Sequence, residues 1–227
     1  HEIAPVSIAY WFYEFHNCGS FDLSKFNTSN VVDMRYAFYQ ASYTSTFAIF
    51  NISDWDTSNV TNMDAMFHYA GCQAGTVSLN LNNWDVSKVT SMSSMFFGAG
   101  YYCSGSVVIN IENWNASKVT EIGQMFASVG YNAQSINIKM QNLKFSSLQS
   151  MAKAFWGLGY SAKYVMIDAA NVDISNVTNL DNTFRMVGSS ASSTVRINLT
   201  NWNTSKVTTM NETFYYIGIS TSSVYIS

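Results

Sequence analysis

The sequence predicts an α/β solenoid, a parallel β-sheet with one short helix per 29–30-residue repeat, wound as a single domain over residues 1–227. Three observations predict it. The segment NWDVSKVTSMSSMFFGAG (Asn83–Gly100) recurs as NWNASKVTEIGQMFASVG (Asn113–Gly130), NWNTSKVTTMNETFYYIG (Asn201–Gly218) and DWDTSNVTNMDAMFHYAG (Asp54–Gly71). The Phe inside it falls at Phe15, Phe38, Phe67, Phe96, Phe126, Phe155, Phe184 and Phe214, with spacings of 23, 29, 29, 30, 29, 29 and 30. Inside each repeat, alternating apolar residues give way to a spacing of three and four. A fixed period of this length marks units that close a core only by stacking. On this ruler residues 1–19 are a partial first repeat or cap, 20–218 are seven repeats, and 219–227 are a terminal strand. Both ends therefore fall within a repeat, with Ile3 level with the Trp of the others.

The first element of each repeat is a strand. TVSLNLNNW sets Val77, Leu79 and Leu81 on one face, and SVVINIENW does the same with Val107, Ile109 and Ile111. Alternation with β-branched residues is the signature of a half-buried strand. The other face carries Asn51, Asn80, Asn110, Lys139, Asp168 and Asn198, which should point outward. The residue before the Trp (Asp54, Asn83, Asn113, Asn142, Asn171, Asn201) continues the inward phase, so a buried Asn ladder bonded to the next coil's backbone is expected.

The second element is a turn, WDxS or WNxS. Ser stands there in every repeat, at Ser29, Ser58, Ser87, Ser117, Ser146, Ser175 and Ser205. Asx and Ser side chains bond nearby backbone groups and fix turns. The third element is VTxMxxMFxxxG. Met92, Met95, Phe96 and Ala99 lie at i, i+3, i+4 and i+7, the stripe of a short amphipathic helix. Thr90 is the expected N-cap, Thr61 with Asp64 resembles a capping box, and Gly71, Gly100, Gly130, Gly159, Gly188 and Gly218 stand where a left-handed C-terminal residue belongs.

The string WDxSxVTxMxxMF, over about residues 20 to 218, resembles the BspA-like leucine-rich repeats of bacterial surface proteins and mycoplasma-type lipoproteins. The resemblance implies a leucine-rich-repeat-like solenoid and a secreted or surface-attached protein in adhesion and host or matrix contact. It brings no catalytic motif. Return loops such as YYCSGS (Tyr101–Ser106) are longer than in the compact family repeat.

Composition narrows the function classes. Only 11% of residues are charged and the net charge is −3, without basic clusters, which disfavours nucleic acid and anionic membranes as partners. No apolar run reaches the length of a membrane span. The chain opens at His1 without a charged-then-apolar leader, which marks a processed product or an excised fragment. His1, His16 and His68 are too few and scattered for a metal or acid–base site, and no cofactor is implied. His68 stands where other repeats carry Tyr39, Phe97, Ala127, Trp156, Arg185 and Tyr215, and so reads as a surface residue. Cys72 and Cys103 are out of register by two positions and read as independent thiols. Asn27, Asn51, Asn59, Asn115, Asn176, Asn198, Asn203 and Asn211 are Asn-x-Ser/Thr acceptors, relevant where the source glycosylates secreted proteins.

The candidate binding residues are a Tyr file five positions past the repeat Phe, Tyr43, Tyr101, Tyr131 and Tyr160, with Phe97 and Trp156 nearby. Tyr and Trp are enriched in binding hot spots, and the same rings could instead stack coil on coil. Two functions are expected from these features. One is a non-enzymatic extracellular binding or adhesion module for a protein or glycan on another cell or matrix. The alternative is a structural subunit that stacks end to end with further copies of itself.

Overall fold

The computed structural model describes residues 4–227. His1 and Ile3 lie outside the described residues. The chain winds into a parallel β-solenoid of about seven coils. Its strands are β1 (Ser20–Asp22), β2 (Ala48–Asn51), β3 (Val77–Asn80), β4 (Ser106–Asn110), β5 (Ser135–Lys139), β6 (Tyr164–Asp168), β7 (Thr194–Asn198) and β8 (Ser223–Ile226). They form one eight-stranded sheet in sequence order, every neighbouring pair parallel.

Register follows the repeat. Val77, Val107, Ile136, Val165, Val195 and Val224 lie across from one another, and Leu79, Ile109, Ile138, Ile167, Ile197 and Ile226 form the parallel file two residues on. Up to β7 both files are buried. The alternate positions face outward, as the Asn51, Asn80, Asn110, Lys139, Asp168 and Asn198 column was expected to do. A one-residue slip would turn every Val and Ile to water, so the apolar pattern fixes the register.

The largest departure from expectation is the third element. Among the described residues there is no helix; the wall opposite the sheet is a run of consecutive turns. In the coil holding Met92, the N–H groups of Met95, Phe97 and Ala99 bond the carbonyls of Met92, Ser94 and Phe96 in their own coil, at 3.2, 3.0 and 3.0 Å. The intervening N–H groups, of Ser94, Phe96 and Gly98, bond Gly123, Met125 and Ala127 of the next coil, at 2.8, 2.9 and 2.9 Å. A helix would direct the N–H groups past its first turn along its own axis, away from the neighbour. The turn run instead divides its donors, half closing the turn and half joining coil to coil.

Three positions per coil hold positive φ to make this possible, for instance Ser94 (54°), Gly98 (63°) and Gly100 (62°), or Gln124 (56°), Ser128 (56°) and Gly130 (56°). The left-handed region costs a non-glycine residue about 1 kcal/mol, which the cross-coil bonds offset. Met92, Met95, Phe96 and Ala99 are nevertheless fully buried. The three-and-four spacing correctly marked which side chains face the core and misidentified the backbone carrying them.

The supposed caps have other partners. The hydroxyls of Thr61, Thr90 and Thr120 donate to the carbonyls of Val32, Thr61 and Thr90, one coil back, at 3.1, 3.2 and 3.3 Å. Thr is thus a rung of a ladder and not an N-cap. Asp64, expected in a capping box with Thr61, accepts from the Ser93 N–H (2.8 Å) and the Ser91 hydroxyl of the next coil.

Two aromatic ladders fill the interior. Phe38, Phe67, Phe96, Phe126, Phe155, Phe184 and Phe214 stack with ring centroids 5.0–5.7 Å apart. Beneath Phe38 lies Phe12, at 5.1 Å and 7°, not Phe15, which is exposed. The first step of the ruler is therefore 26 residues rather than 23. Trp55, Trp84 and Trp114 stack at 6.2 and 6.5 Å. Their indole N–H groups donate to Leu23, Ile52 and Leu81 carbonyls of the preceding coil, at 3.0, 2.9 and 2.8 Å. Each ring thus buries apolar area and also satisfies a carbonyl.

The WDxS turn behaves as expected. Asp56, Asp85, Asp173 and Asn203 each accept from the backbone N–H two residues on, at Ser58, Ser87, Ser175 and Ser205. Ser hydrogen bonds hold the Asp56 and Asp173 carboxyls below the usual carboxylate range. Where the motif becomes LKFSSL, Leu143 stands at the Trp position and Phe145 at that of Ala116, both buried, and the Ser146 hydroxyl reaches the Asp173 carboxylate of the next coil, 3.2 Å away.

The Asn ladder exists but lies outside. Asn142, Asn171 and Asn201 donate to the Asn113, Asn142 and Asn171 side-chain oxygens at 2.9, 3.0 and 2.7 Å, and all are exposed. These Asn residues sit at φ between 58° and 66°, where the chain leaves the strand and the inward phase ends. Asn tolerates that conformation better than most residues.

Candidate functional site

The coil presents two walls to solvent, and the residues expected to bind all lie on the turn wall. On the turn wall, Tyr101, Tyr131 and Tyr160 form a file with centroids 4.6 and 4.9 Å apart and planes 12° and 5° from parallel. Their ring faces are covered by one another and their edges are half-exposed. Burial pushes the Tyr101 and Tyr131 hydroxyls above the ordinary phenol value. Tyr43 belongs to the same column, but Cys72 holds the position between it and Tyr101. A hydrogen bond with Cys72, ahead of burial, pushes the Tyr43 hydroxyl up to about 12.

Phe97 lies in a second file one position past the core Phe, with Tyr13, Tyr39 and His68. Successive centroids are 4.7, 4.8 and 4.8 Å apart. Ala127 interrupts this file, so Trp156 stands apart from it, beside Arg185, whose guanidinium lies over Tyr215 at 5.0 Å and pairs with Glu212. The structure thus unites Tyr101, Tyr131 and Tyr160, and sets Tyr43, Phe97 and Trp156 apart.

His68 is not the surface residue its variable position suggested. Its imidazole is sandwiched between Tyr39 and Phe97, and its Nδ1 is buried without a hydrogen-bond partner. Burial pulls its pKa down to about 4, so the ring is neutral at physiological pH. The position accepts many residues because most of them stack.

Cys72 and Cys103 are buried free thiols, raised in pKa by burial, as the register mismatch predicted. Among the glycosylation candidates, the amide nitrogens of Asn51, Asn59, Asn176 and Asn198 bond the coil beneath, on Asp22, Ser29, Ser146 and Asp168. Asn27 holds the Ser29 turn. Asn115, Asn203 and Asn211 are exposed. Among the described residues no group of three His, Cys, Asp or Glu is arranged to hold a metal ion.

The sheet wall carries a group that sequence reasoning missed. Down its middle outward column run Ser20, Ile49, Ser78, Val108, Asn137, Met166, Arg196 and Tyr225. The Ser and aliphatic residues of the first coils yield to Met, Arg and Tyr over β6–β8, where Tyr164, Met166 and Tyr225 are each about half exposed. A groove of ≈ 400 Å³ lies there between Ser135, Asn137, Tyr164, Met166, Thr194 and Arg196. A second, of ≈ 260 Å³, lies on the other side of Arg196 toward Asp168 and Tyr225. The available signal was Tyr164 in a column that otherwise holds Ser106, Ser135 and Thr194.

No curated protein and no solved structure matches the chain. A family described as "Mycoplasma protein of unknown function, DUF285" matches over residues 6–105, 44–165 and 150–219, which together span nearly all of the sequence. The repeat that builds every coil is the repeat of that family, and the chain belongs to it.

Proposed function

We propose that this protein is a non-enzymatic binding module displayed outside the cell, which attaches to a protein or glycan of another cell or matrix. The observation that carries the reading is the division of labour among side chains. Most apolar residues, the turn Asx and the ladder Thr are accounted for by packing, whereas the outward columns of the sheet carry Tyr164, Met166 and Arg196 outside the core, with Lys163 over the Tyr164 ring at 5.2 Å. A rigid wall with exposed aromatic and cationic groups suits recognition, because little ordering entropy is lost on binding. The WDxSxVTxMxxMF string supports kinship with BspA-like surface repeats, and with it an adhesive role. The test is to present the purified chain to arrays of matrix proteins and glycans. Binding to none of them by a protein with intact cooperative unfolding would remove the reading.

A further inference from the structure

We infer that the outward face of β5–β7 is a binding site for an acidic oligosaccharide, with Tyr164 and Met166 as its apolar platform and Arg196 as its carboxylate contact. The inference rests on the binding-module reading above and names the ligand class and the place.

Three observations converge on this stretch of sheet. The first is shape. The ≈ 400 Å³ groove runs across three strands and is floored by backbone, with Tyr164 and Met166, each 44% exposed, beside Ser135, Asn137 and Thr194. An exposed ring with hydroxyl and amide groups around it meets the mixed surface of a sugar, whose C–H face is apolar and whose rim is hydroxyl. Asn137 Oδ1 is buried without a hydrogen-bond partner, and the broad terminal torsion of an amide lets it turn toward a ligand hydroxyl.

The second is charge. The ion pairs among the described residues are Arg35 with Asp33 and Arg185 with Glu212. Arg196 takes part in neither and sits 4.7 Å over the Tyr225 ring. That contact fixes the plane of the guanidinium while leaving N–H groups at its edge for a planar acid, which Arg binds in bidentate fashion. The nearby carboxylate, Asp168, is already occupied by the Asn198 and Gln141 amides at 3.0 and 2.6 Å. Lys139, Lys163 and Arg196 against Asp168 make this face +2 in a chain of net −3. A few cations around aromatic platforms suit one or two carboxylates. They do not suit the closely spaced phosphates of a nucleic acid, which need a longer basic stripe.

The third is locality. The earlier positions aligned with Arg196 are Ser20, Ile49, Ser78 and Val108, which hold no cation; an exposed ring, Phe47, and a groove of ≈ 440 Å³ also occur over the first coils, but beside the Asp22 carboxylate. The feature is confined to one stretch of an otherwise repetitive wall, and the repeat itself does not require it.

The experiment is a calorimetric and NMR titration of the full chain with sialyllactose and a galacturonic acid trimer as acidic probes, and lactose and maltotriose as neutral ones. Wild type, Arg196→Gln, Tyr164→Ser and the distant control Arg35→Gln are compared, with thermal unfolding of each. Binding of an acidic probe that weakens tenfold or more in Arg196→Gln and in Tyr164→Ser, but not in the control, establishes the site. Acidic binding unchanged in both variants, or neutral probes bound as tightly as acidic ones, overturns it. Failure of all four probes alongside capture of a matrix protein ends this inference and leaves the binding-module reading standing. Failure of probes and matrix proteins alike ends both.

Discussion

The sheet wall and the turn wall of one coil solve the same problem with different backbones. Each must bury one row of side chains and offer hydrogen bonds to the coils on either side. The sheet does so with extended residues alternating in and out, at no cost in backbone conformation. The turn wall changes the chain's direction every few residues and still sends half its N–H groups across the gap, which takes three positive φ angles per coil. The sheet wall is therefore tolerant on its outward positions, while the turn wall is constrained at its backbone as well as at its core side chains. That contrast can be broken by substitution.

The largest effect is expected where the two walls meet. Phe126 extends inward from the turn wall, stacked between Phe96 and Phe155 at 5.2 and 5.1 Å and 1% exposed. Phe126→Ala should cost about 3–5 kcal/mol, read from the urea midpoint. Met166→Ala, outward on the sheet, should stay within about 0.5 kcal/mol. Similar losses at both sites would mean that the sheet face is buried in solution.

Gly100 tests the backbone of the turn wall. It has φ 62°, and a Cβ there would stand 2.5 Å from Val107 Cγ2 and 3.3 Å from Cys103 Cβ. Gly100→Ala combines left-handed strain with a clash against the sheet, and should cost about 2–3 kcal/mol. A neutral result would show that the turn wall can shift away from the sheet, against the close packing of Gly100 on Val107.

His68 gives the turn wall a pH dependence through a half-buried imidazole. Its pKa is about 4 in the fold and about 6.5 in an unfolded chain. Between those values the unfolded chain binds the extra proton, so stability falls as pH drops from about 6.5 toward 4 and levels off below. The full shift corresponds to roughly 3 kcal/mol, and partial solvent contact of the ring reduces this to about 1–2 kcal/mol. His68→Phe keeps the stack between Tyr39 and Phe97 and should flatten the profile over that interval. An unchanged profile would place the ring in water.

The sequence showed period, register and core more clearly than backbone. The strands, the inward Val and Ile files, the Phe stack from Phe38 onward and the Asx turns were all legible, because each depends on side-chain chemistry that recurs every 29 or 30 residues. The turn wall was not. Its inward residues carry helical spacing, and nothing in Met92-x-x-Met95-Phe96 states whether the intervening N–H groups bond up the chain or across it. The residues that do distinguish the two, Ser94, Gly98 and Gly100, are also ordinary at helix ends. The Asn ladder was placed inside because alternation was extended one residue too far, past the point where Asn113 and Asn142 turn left-handed. The sheet-face group around Arg196 was missed because a search for repeats discounts positions that vary.

The smallest predicted effect separates the two backbones most sharply, because its sign decides. Ser94 is half-buried with φ 54°, and its N–H bonds Gly123 of the next coil at 2.8 Å. In a helix, Ser94→Ala would stabilise by a few tenths of a kcal/mol and Ser94→Gly would destabilise by about 0.5 kcal/mol. In the turn run the order reverses. Glycine relieves a left-handed residue of its Cβ strain, offset in part by the greater freedom of the unfolded chain, for a net gain of up to about 0.5–1 kcal/mol. Alanine keeps the strain and loses any local help from the hydroxyl. The same pair of substitutions at Gln124, also at φ 56°, should repeat the order. Finding Ala above Gly at both sites in urea denaturation would restore the helix, and with the Phe96 and Gly98 N–H groups then bonded along its axis the coil-to-coil bonds of this wall would lose those donors.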